Sequence, residues 1–258
     1  MEHQSAARAR DARRVALVGP GRAGMAITLA LTRRGYTVTA VAGRTADSPS
    51  TSAAAARFDA PAVEVGDAGR DAGIVIIATP DAAISDAAVA LAPSLRPGAL
   101  VVHLSGARGL DVLDPLVQRR ADVVIGALHP LQTLPSDAER AVASLTGAWA
   151  AVDGSERVVD LATDLGLHPF RVADRGRYHA AASVASNHVV ALLGQLDRLA
   201  ASAGVPLEAF LPLVQASVDH ATALGPAAAL TGPVARGDVD TVRAHLDALP
   251  PEERSTYR

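Results

Sequence analysis

The sequence predicts an α/β chain: a doubly wound parallel sheet followed by a second, smaller all-α C-terminal domain. Three observations carry that prediction. A short apolar run, Arg14 to Val18, ends in Gly19-Pro20-Gly21-Arg22-Ala23-Gly24, and an alanine-rich helical pattern follows from Met25 to Thr32. Further apolar runs recur with helical segments between them, the alternation of a parallel sheet joined by right-handed crossovers. From Tyr178 to Ala203 the pattern changes to long alanine- and leucine-rich helix, broken by no glycine except Gly194. A domain boundary is therefore expected near Ala173, with a disordered lead-in at 1–12, the sheet domain at 13–173 and the helical domain at 174–258.

In the first unit each glycine has a physical role. Gly19 makes the tight turn out of the strand, Gly21 lets backbone approach a diphosphate, and Gly24 lets the helix pack closely on the strand. A diphosphate would rest on the unpaired N–H groups around Pro20, Arg22 and Ala23, at the positive end of the helix dipole. A bare Gly-x-Gly-x-x-Gly is a weak signal. Its position between a strand and a helix, with a second strand following, makes this one a dinucleotide loop.

Tyr36 to Ala42 alternates as that second strand and closes in Gly43-Arg44-Thr45. A carboxylate at this strand end would bind a ribose 2′-hydroxyl, whereas an arginine suits a 2′-phosphate. Arg44 stands twenty residues past Gly24 and Asp47 falls three positions later still, so Arg44 and Thr45 predict NADPH as the cofactor. Ser48 to Ser52 is a polar turn, followed by a short helix over Ala53 to Phe58. Ala72 to Ala78 is a continuous apolar run, as in a strand buried on both faces. It stops at Thr79-Pro80-Asp81, where Thr79 and Pro80 would meet the cofactor and Asp81 would cap the next helix. Ala99 to Leu104 and Val123 to Leu128 are the next strands, closed by Ser105-Gly106-Ala107 and by His129-Pro130-Leu131-Gln132-Thr133. Ala148 to Val152 and His168 to Val172 complete the sheet around a helix over Val158 to Leu165. Beyond Ala203, Leu207 to Leu224 reads as helix that Pro212 kinks or restarts, and Thr231 onward and Val239 to Leu249 give further helices.

Composition removes several classes of function. The 258 residues are 49% apolar and 20% charged with a net charge of −3, which favours neither nucleic acid nor an acidic membrane surface. No cysteine is present, so disulfides, thiolate catalysis and cysteine-held metals are excluded, and no metal is expected. No apolar run is long enough to predict a membrane span, and the cytoplasm is the expected location. All 24 basic residues are arginine, which excludes Schiff-base chemistry, a Walker A loop and any catalytic lysine.

Four blocks give the chain a resemblance. They are His103-Leu104-Ser105-Gly106, His129 to Thr133, Tyr178-His179-Ala180-Ala181-Ala182-Ser183-Val184-Ala185-Ser186-Asn187-His188, and Leu230 to Asp238. Together they resemble a bacterial family of Rossmann-like proteins with a small helical C-terminal domain. That family is similar to ketopantoate reductases and to the wider superfamily of 6-phosphogluconate and β-hydroxyacid dehydrogenases. The resemblance runs from Arg14 to near the end of the chain, although members usually carry one more terminal helix. It implies a homodimer acting on a small-molecule carboxylate substrate. The superfamily's dehydrogenases place a lysine four residues before an asparagine on the first long helix; here Asn187 is present and Ser183 takes the lysine position. On an α-helix the two share a face. The His129-Pro130 segment is also similar to that of prephenate dehydrogenases, in which the histidine contacts the hydroxyl being oxidised.

Reducing a ketone requires a proton donor, and histidine is the best suited side chain. His129, at the carboxyl edge of the sheet, is the first candidate and His179, at the start of the long helix, the second, with Ser183 and Asn187 beside them. His103 lies inside an apolar strand and reads as a core histidine. Ser105 would hydrogen-bond the carboxamide or the substrate, with Gln132 nearby. For the substrate carboxylate Arg236 is the first choice, with Arg175 and Arg177 as alternatives. The expected activity is NADPH-dependent reduction of a small 2-oxo acid such as ketopantoate. The alternatives are a prephenate-dehydrogenase-like oxidation and an NADPH-binding protein without chemistry.

Overall fold

The structure is a computed structural model and describes residues 13–257. The expected lead-in at 1–12 and the terminal Arg258 lie outside the described residues. The chain divides into two compact units, Met1–Ala182 and Ser183–Arg258, so the division falls nine residues beyond the expected Ala173.

The first unit is built on eight strands: β1 (Arg14–Val18), β2 (Thr37–Ala42), β3 (Ala62–Val63), β4 (Ile74–Ile77), β5 (Leu100–His103), β6 (Val124–Pro130), β7 (Trp149–Gly154) and β8 (His168–Arg171). Their order across the sheet is β3-β2-β1-β4-β5-β6-β7-β8. Between them run α1 (Arg22–Thr32), α2 (Pro49–Arg57), α3 (Ile84–Leu91), α4 (Asp114–Arg119), α5 (Ala138–Leu145) and α6 (Glu156–Asp164), and α7 (Arg175–Ser183) follows β8. The apolar runs are strands covered on both faces. Val15 and Leu17 of β1 point into the layer formed by α1, α5 and α6, while Ala16 and Val18 point into the layer formed by α3 and α4. That two-sided burial is why these strands read as continuous rather than alternating apolar runs.

The sheet departs from the expected parallel arrangement at one joint, because β7 pairs with β6 antiparallel. Leu131 N–H donates to Trp149 C=O at 2.8 Å, so β7 enters at the edge where β6 leaves. Since β8 is parallel to β7, the last two strands both oppose the rest. Three helix starts of this unit are capped by side chains. Ser48 accepts from Thr51 N–H, Asp137 from Arg140 N–H and Ser155 from Arg157 N–H. Asp81 does not take the expected capping role. It opens a 3-10 turn, Asp81–Ala83, and neither that turn nor α3 has a side-chain cap.

The second unit is helical. Val184–His188 forms a π-helical turn leading into α8 (Val189–Ser202). After the 3-10 turn Leu207–Ala209 comes α9 (Leu211–Leu224), so Pro212 restarts the helix in its first turn instead of kinking it. The short helices α10 (Pro226–Ala229) and α11 (Gly232–Ala235) lead to α12 (Val239–Ala248) and α13 (Arg254–Tyr257). Within the unit the buried Glu253 accepts from Arg198 Nε at 2.5 Å and Nη2 at 3.1 Å, and Gln195 Nε2 donates to its backbone carbonyl. Among the described residues no single helix is long and apolar enough to cross a membrane; 175–202 and 207–224, bent by 111°, pass by length and composition only as a pair.

Candidate functional site

The glycine loop has three different constraints, one per glycine. Gly19 has φ of +92°, and a Cβ there would lie 2.7 Å from the Ala78 and Thr79 backbone. A Cβ on Gly24 would lie 2.5 Å from the Gly19 oxygen and 2.9 Å from Ala78 Cβ and Leu17 Cδ1. These two are therefore glycine because the fold requires it. Gly21 is not: its φ is −82°, and a Cβ there would meet nothing within 4 Å. The space in front of it is open although no neighbour in the chain needs it. Gly21 caps α1, whose first turn carries no acidic residue. The N–H groups of Arg22, Ala23 and Gly24 have no carbonyl a turn earlier in the helix to accept them, so they form an anion-binding end.

A cleft of about 940 Å³ opens in front of this loop. Its walls are Gly19, Pro20 and Gly21, the β2 end at Gly43 and Arg44, the start of α2 at Ser48 to Ser50, Thr79 and Pro80 after β4, and one side of α3. Thr79 Oγ1 is buried there without a hydrogen-bond partner. An orphaned hydroxyl, open space over Gly21 and bare helix N–H groups fit a dinucleotide of the expected kind. Of the residues expected at the cofactor, Gly19, Pro20, Gly21, Arg44, Thr79 and Pro80 line the cleft. Ala23 and Gly24 sit in the first turn of α1, and Arg22 borders a neighbouring hollow of about 260 Å³ with Arg57. Thr45 is exposed and is not among the lining residues. Ser48, Ser50 and Asp86 line the cleft without having been expected there.

A second group of polar side chains gathers at the carboxyl ends of β5 and β6. Strand register puts Ile77, His103 and Ala127 side by side, and His129 opposite Ala151, which pairs in turn with Phe170. Alternation sends His103 and His129 to the face opposite Leu128, where α7 supplies Arg175, Tyr178 and His179. His129 Nδ1 shares a 2.7 Å hydrogen bond with the Tyr178 hydroxyl. The His129 ring meets Tyr178 and His179 edge-on, with centroids 5.6 Å and 5.7 Å away, and Tyr178 continues to Phe170 at 5.8 Å. Gly106 lies beneath them, where a Cβ would stand 2.8 Å from His129 Nε2 and collide with His179 Cδ2. Arg175 is 8% exposed, and its Nη1 donates to Ser105 C=O at 3.1 Å.

Burial sets the electrostatics of this group. It lowers His129 to about 4, with the His179 and Arg175 charges adding to the effect and Asp81 opposing it. His103 is also held at about 4, first by burial and then by Arg175. Both rings are therefore neutral at neutral pH. Burial raises Tyr178 against the pull of Arg175, so the phenol keeps its proton. His129 is thus a neutral donor or acceptor. His103 is the core histidine expected, but only half satisfied. Its Nδ1 accepts from Ser105 N–H at 3.3 Å, while Nε2 has no hydrogen bond of normal geometry, the nearby Gly109 backbone merely offsetting part of the shift.

Other expected residues are placed differently. Ser105 Oγ accepts from Ala107 N–H and Arg108 N–H, at 3.2 Å and 3.0 Å, and so shapes the loop after β5. Gln132 is exposed, with its Oε1 accepting from Thr133 N–H at 2.8 Å. Arg177 is paired with Asp174 at 3.2 Å. Ser183, Asn187 and Arg236 belong to the second unit. The turn after Ser183 is π rather than α, and Asn187 Oδ1 accepts from Ser186 Oγ at 3.2 Å. Arg236 is exposed at the end of α11. Tyr178 carried no expected role although it stands next to His179. Its helical offset of three from Arg175 was the available signal that both face the same strand ends.

Comparison with known proteins divides the chain between residues 130 and 142, within the first compact unit. Residues 1–130 match the model of a Rossmann-like domain, and residues 142–258 match a domain of unknown function (DUF2520). No curated protein matches the chain. Among solved structures, a Bacteroides fragilis protein provisionally described as an NADP oxidoreductase superposes with a TM-score of 0.77 at 23% identity, over 95% of this chain and 94% of its own. Prephenate dehydrogenase from Aquifex aeolicus gives 0.56 at 16% identity, over 94% and 95%. A reductive aminase from Aspergillus terreus, in complex with NADPH and ethyl levulinate, gives 0.60 at 15% identity, over 91% and 77%. At such identities the likeness is one of fold. The chain belongs to the Rossmann-like domain family and joins that domain to a C-terminal DUF2520 domain.

Proposed function

We propose that the protein is an NADPH-dependent oxidoreductase that reduces a small 2-oxo acid, with His129 and Tyr178 handling the proton. The observation carrying this reading is the distance between two features of one sheet edge. Thr79, on the cleft wall, and His129 each lie two residues beyond the registered row of Ile77, His103 and Ala127. Two strand spacings separate them, about 10 Å. A dinucleotide whose diphosphate rests on α1 would span that gap.

Gly21, Arg22 and Ala23 would hold the diphosphate, Arg44 with the Ser50 hydroxyl the 2′-phosphate, and Thr79 with Pro80 the nicotinamide side. Arg44 makes no ion pair among the described residues, and no carboxylate occupies the β2 end, which supports the phosphorylated cofactor. Nicotinamide, when bound, supplies the hydride equivalent. The chain's own contribution is the proton. With the Tyr178 O–H donated to Nδ1, the proton of neutral His129 resides on Nε2, ready for a substrate oxygen, and the phenol can follow it onto Nδ1. Nothing at the site favours the branched chain of ketopantoate over other 2-oxo acids, so ketopantoate is one member of the panel to test. The opposite tautomer of His129 would accept a proton and suit the prephenate-type oxidation. The likeness of fold to prephenate dehydrogenase keeps that reading second.

The second unit leaves Val190, Leu213 and Leu224 more than half exposed, surface of the kind that marks association, and a homodimer is part of this proposal. The test of activity is loss of reduced-nicotinamide absorbance when purified protein, NADPH and a panel of 2-oxo acids are mixed, with NADP+ and prephenate as the oxidative arm. Turnover of a 2-oxo acid is expected. NADPH binding without turnover in either direction would favour a binding protein without chemistry.

A further inference from the structure

We propose that Arg175 is the carboxylate seat of this site, its unpaired Nε and Nη2 gripping the two oxygens of one substrate carboxylate side-on. This deepens the 2-oxo acid reading and rests on it. Arg175 begins α7 and is almost fully buried, yet only Nη1 is used, donating to Ser105 C=O. Nε and Nη2 are closed to solvent and have no acceptor. These two nitrogens share one edge of the planar guanidinium, with their N–H bonds parallel, and that edge matches a carboxylate in fork geometry. Nη1 fixes the direction in which the edge points.

Leaving buried charged donors unpaired is costly, which is why an orphaned pair on one edge points to a ligand. The chain offers no relief of its own. Asp153 favours the charged form from a distance, and among the described residues no carboxylate lies within ion-pair distance of Arg175. The adjacent Asp174 is engaged by Arg177. The same guanidinium is close enough to act electrostatically on His103, His129 and Tyr178. An acid seated there would lie beside the proton donor, and in a 2-oxo acid the carboxylate is bonded directly to the carbonyl carbon. The edge is closed in this structure, so the acid enters only as the side chains over it shift. Arg236, the first choice from sequence, has neither the burial nor the fixed orientation.

The test uses oxamate, a non-reducible isostere of a 2-oxo acid, and oxamide, its neutral counterpart. Each is titrated calorimetrically into the full chain saturated with NADP+, in buffer free of carboxylate and phosphate. Oxamate is expected to bind at least tenfold more tightly than oxamide. Arg175→Gln is expected to weaken oxamate at least tenfold and leave oxamide and NADP+ unchanged, and Arg175→Lys to recover only part of the loss because an ammonium cannot form the fork. Should Arg175→Gln fail to fold, the wild-type Arg175 Nε–H resonance decides, since oxamate must shift it and oxamide must not. Undetectable oxamate binding, equal binding of the two probes, or wild-type affinity in a folded Arg175→Gln overturns the proposal. Oxamate binding that depends on Arg175, without turnover of any 2-oxo acid, keeps the seat and removes the reductase reading. Turnover indifferent to Arg175→Gln does the reverse.

Discussion

Gly21 and Gly24 are three residues apart in one loop, and the structure predicts opposite consequences for the same added methyl group. At Gly24 the new Cβ would sit 2.5 Å from the Gly19 oxygen, about 1 Å inside ordinary contact, and 2.9 Å from Ala78 and Leu17 atoms. Backbone cannot swing aside as a side-chain tip can, so α1 must lift from β1. Overpacking of this kind costs about 1–3 kcal/mol, offset by the roughly 1 kcal/mol that alanine gains over glycine in a helix. A fall in melting temperature of several degrees is expected, taking about 2–4 °C per kcal/mol for a protein of this size. At Gly21 the backbone is already extended and the Cβ meets nothing. Reduced freedom of the unfolded chain stabilises Gly21→Ala by about 0.4–1 kcal/mol, and alanine's weakness as a helix cap cancels about as much. Stability should therefore stay within about 1 kcal/mol of wild type, while the methyl group holds a diphosphate off the α1 N–H groups. Losing one charge-assisted hydrogen bond, about 1.5–3 kcal/mol, weakens NADPH binding roughly ten- to hundredfold. Paired thermal melts and NADPH titrations read both effects. Wild-type NADPH affinity in Gly21→Ala, or a Gly24→Ala protein as stable as Gly21→Ala, would refute the reasoning.

Other outcomes follow from the polar group beneath α7. Tyr178→Phe removes the hydroxyl from His129 Nδ1 and should lower kcat by roughly tenfold to a hundredfold while leaving the KM for NADPH unchanged; an equal effect on both would mean that the cofactor site had moved. His103 and His129 are held at about 4, below the usual value near 6.5, so the unfolded chain takes up protons first as the pH falls. Their contribution to stability is complete above pH 6.5 and is lost on the way down to about pH 4. For His103 the depression from 6.5 to about 4 corresponds to about 3 kcal/mol. Urea midpoints should drop across that window, and histidine ring-proton titration should find both rings neutral at about pH 6; midpoints near 6.5 would contradict the buried placement. Sedimentation of the full chain should give a dimer, and a monomer at micromolar concentration would remove that part of the proposal.

Much of the first unit was legible because its signals are local. Apolar runs such as Ile74 to Ile77 need both faces covered, and the glycine spacing defined the loop, so β1, α1 and β4 stand where the pattern placed them. The reversal at β7 was not legible. A seven-residue loop and the two-turn α5 fit a return to either edge, and only the pairing of Pro130 with Ala150 decides. Ser48-Pro49 was a readable helix start, a capping serine before a first-turn proline, that lay hidden in what looked like a polar turn. At the site, His129 and His179 could be named from their positions. The neutral state of His129 could not, because desolvation depends on what packs around the ring. Arg175 could be named only as an alternative to Arg236, and nothing in its neighbours foretold that it would be buried with two nitrogens unused.

The claim on which the rest depends is that a dinucleotide lies across the carboxyl edge of this sheet, with its diphosphate at the start of α1 and its 2′-phosphate at Arg44. Titration of the purified chain with NADPH and NADH, on wild type and Arg44→Ala, tests it most directly. NADPH should bind at least tenfold more tightly than NADH, and Arg44→Ala should erase the preference by weakening NADPH alone. Absence of measurable affinity for either dinucleotide would contradict the account.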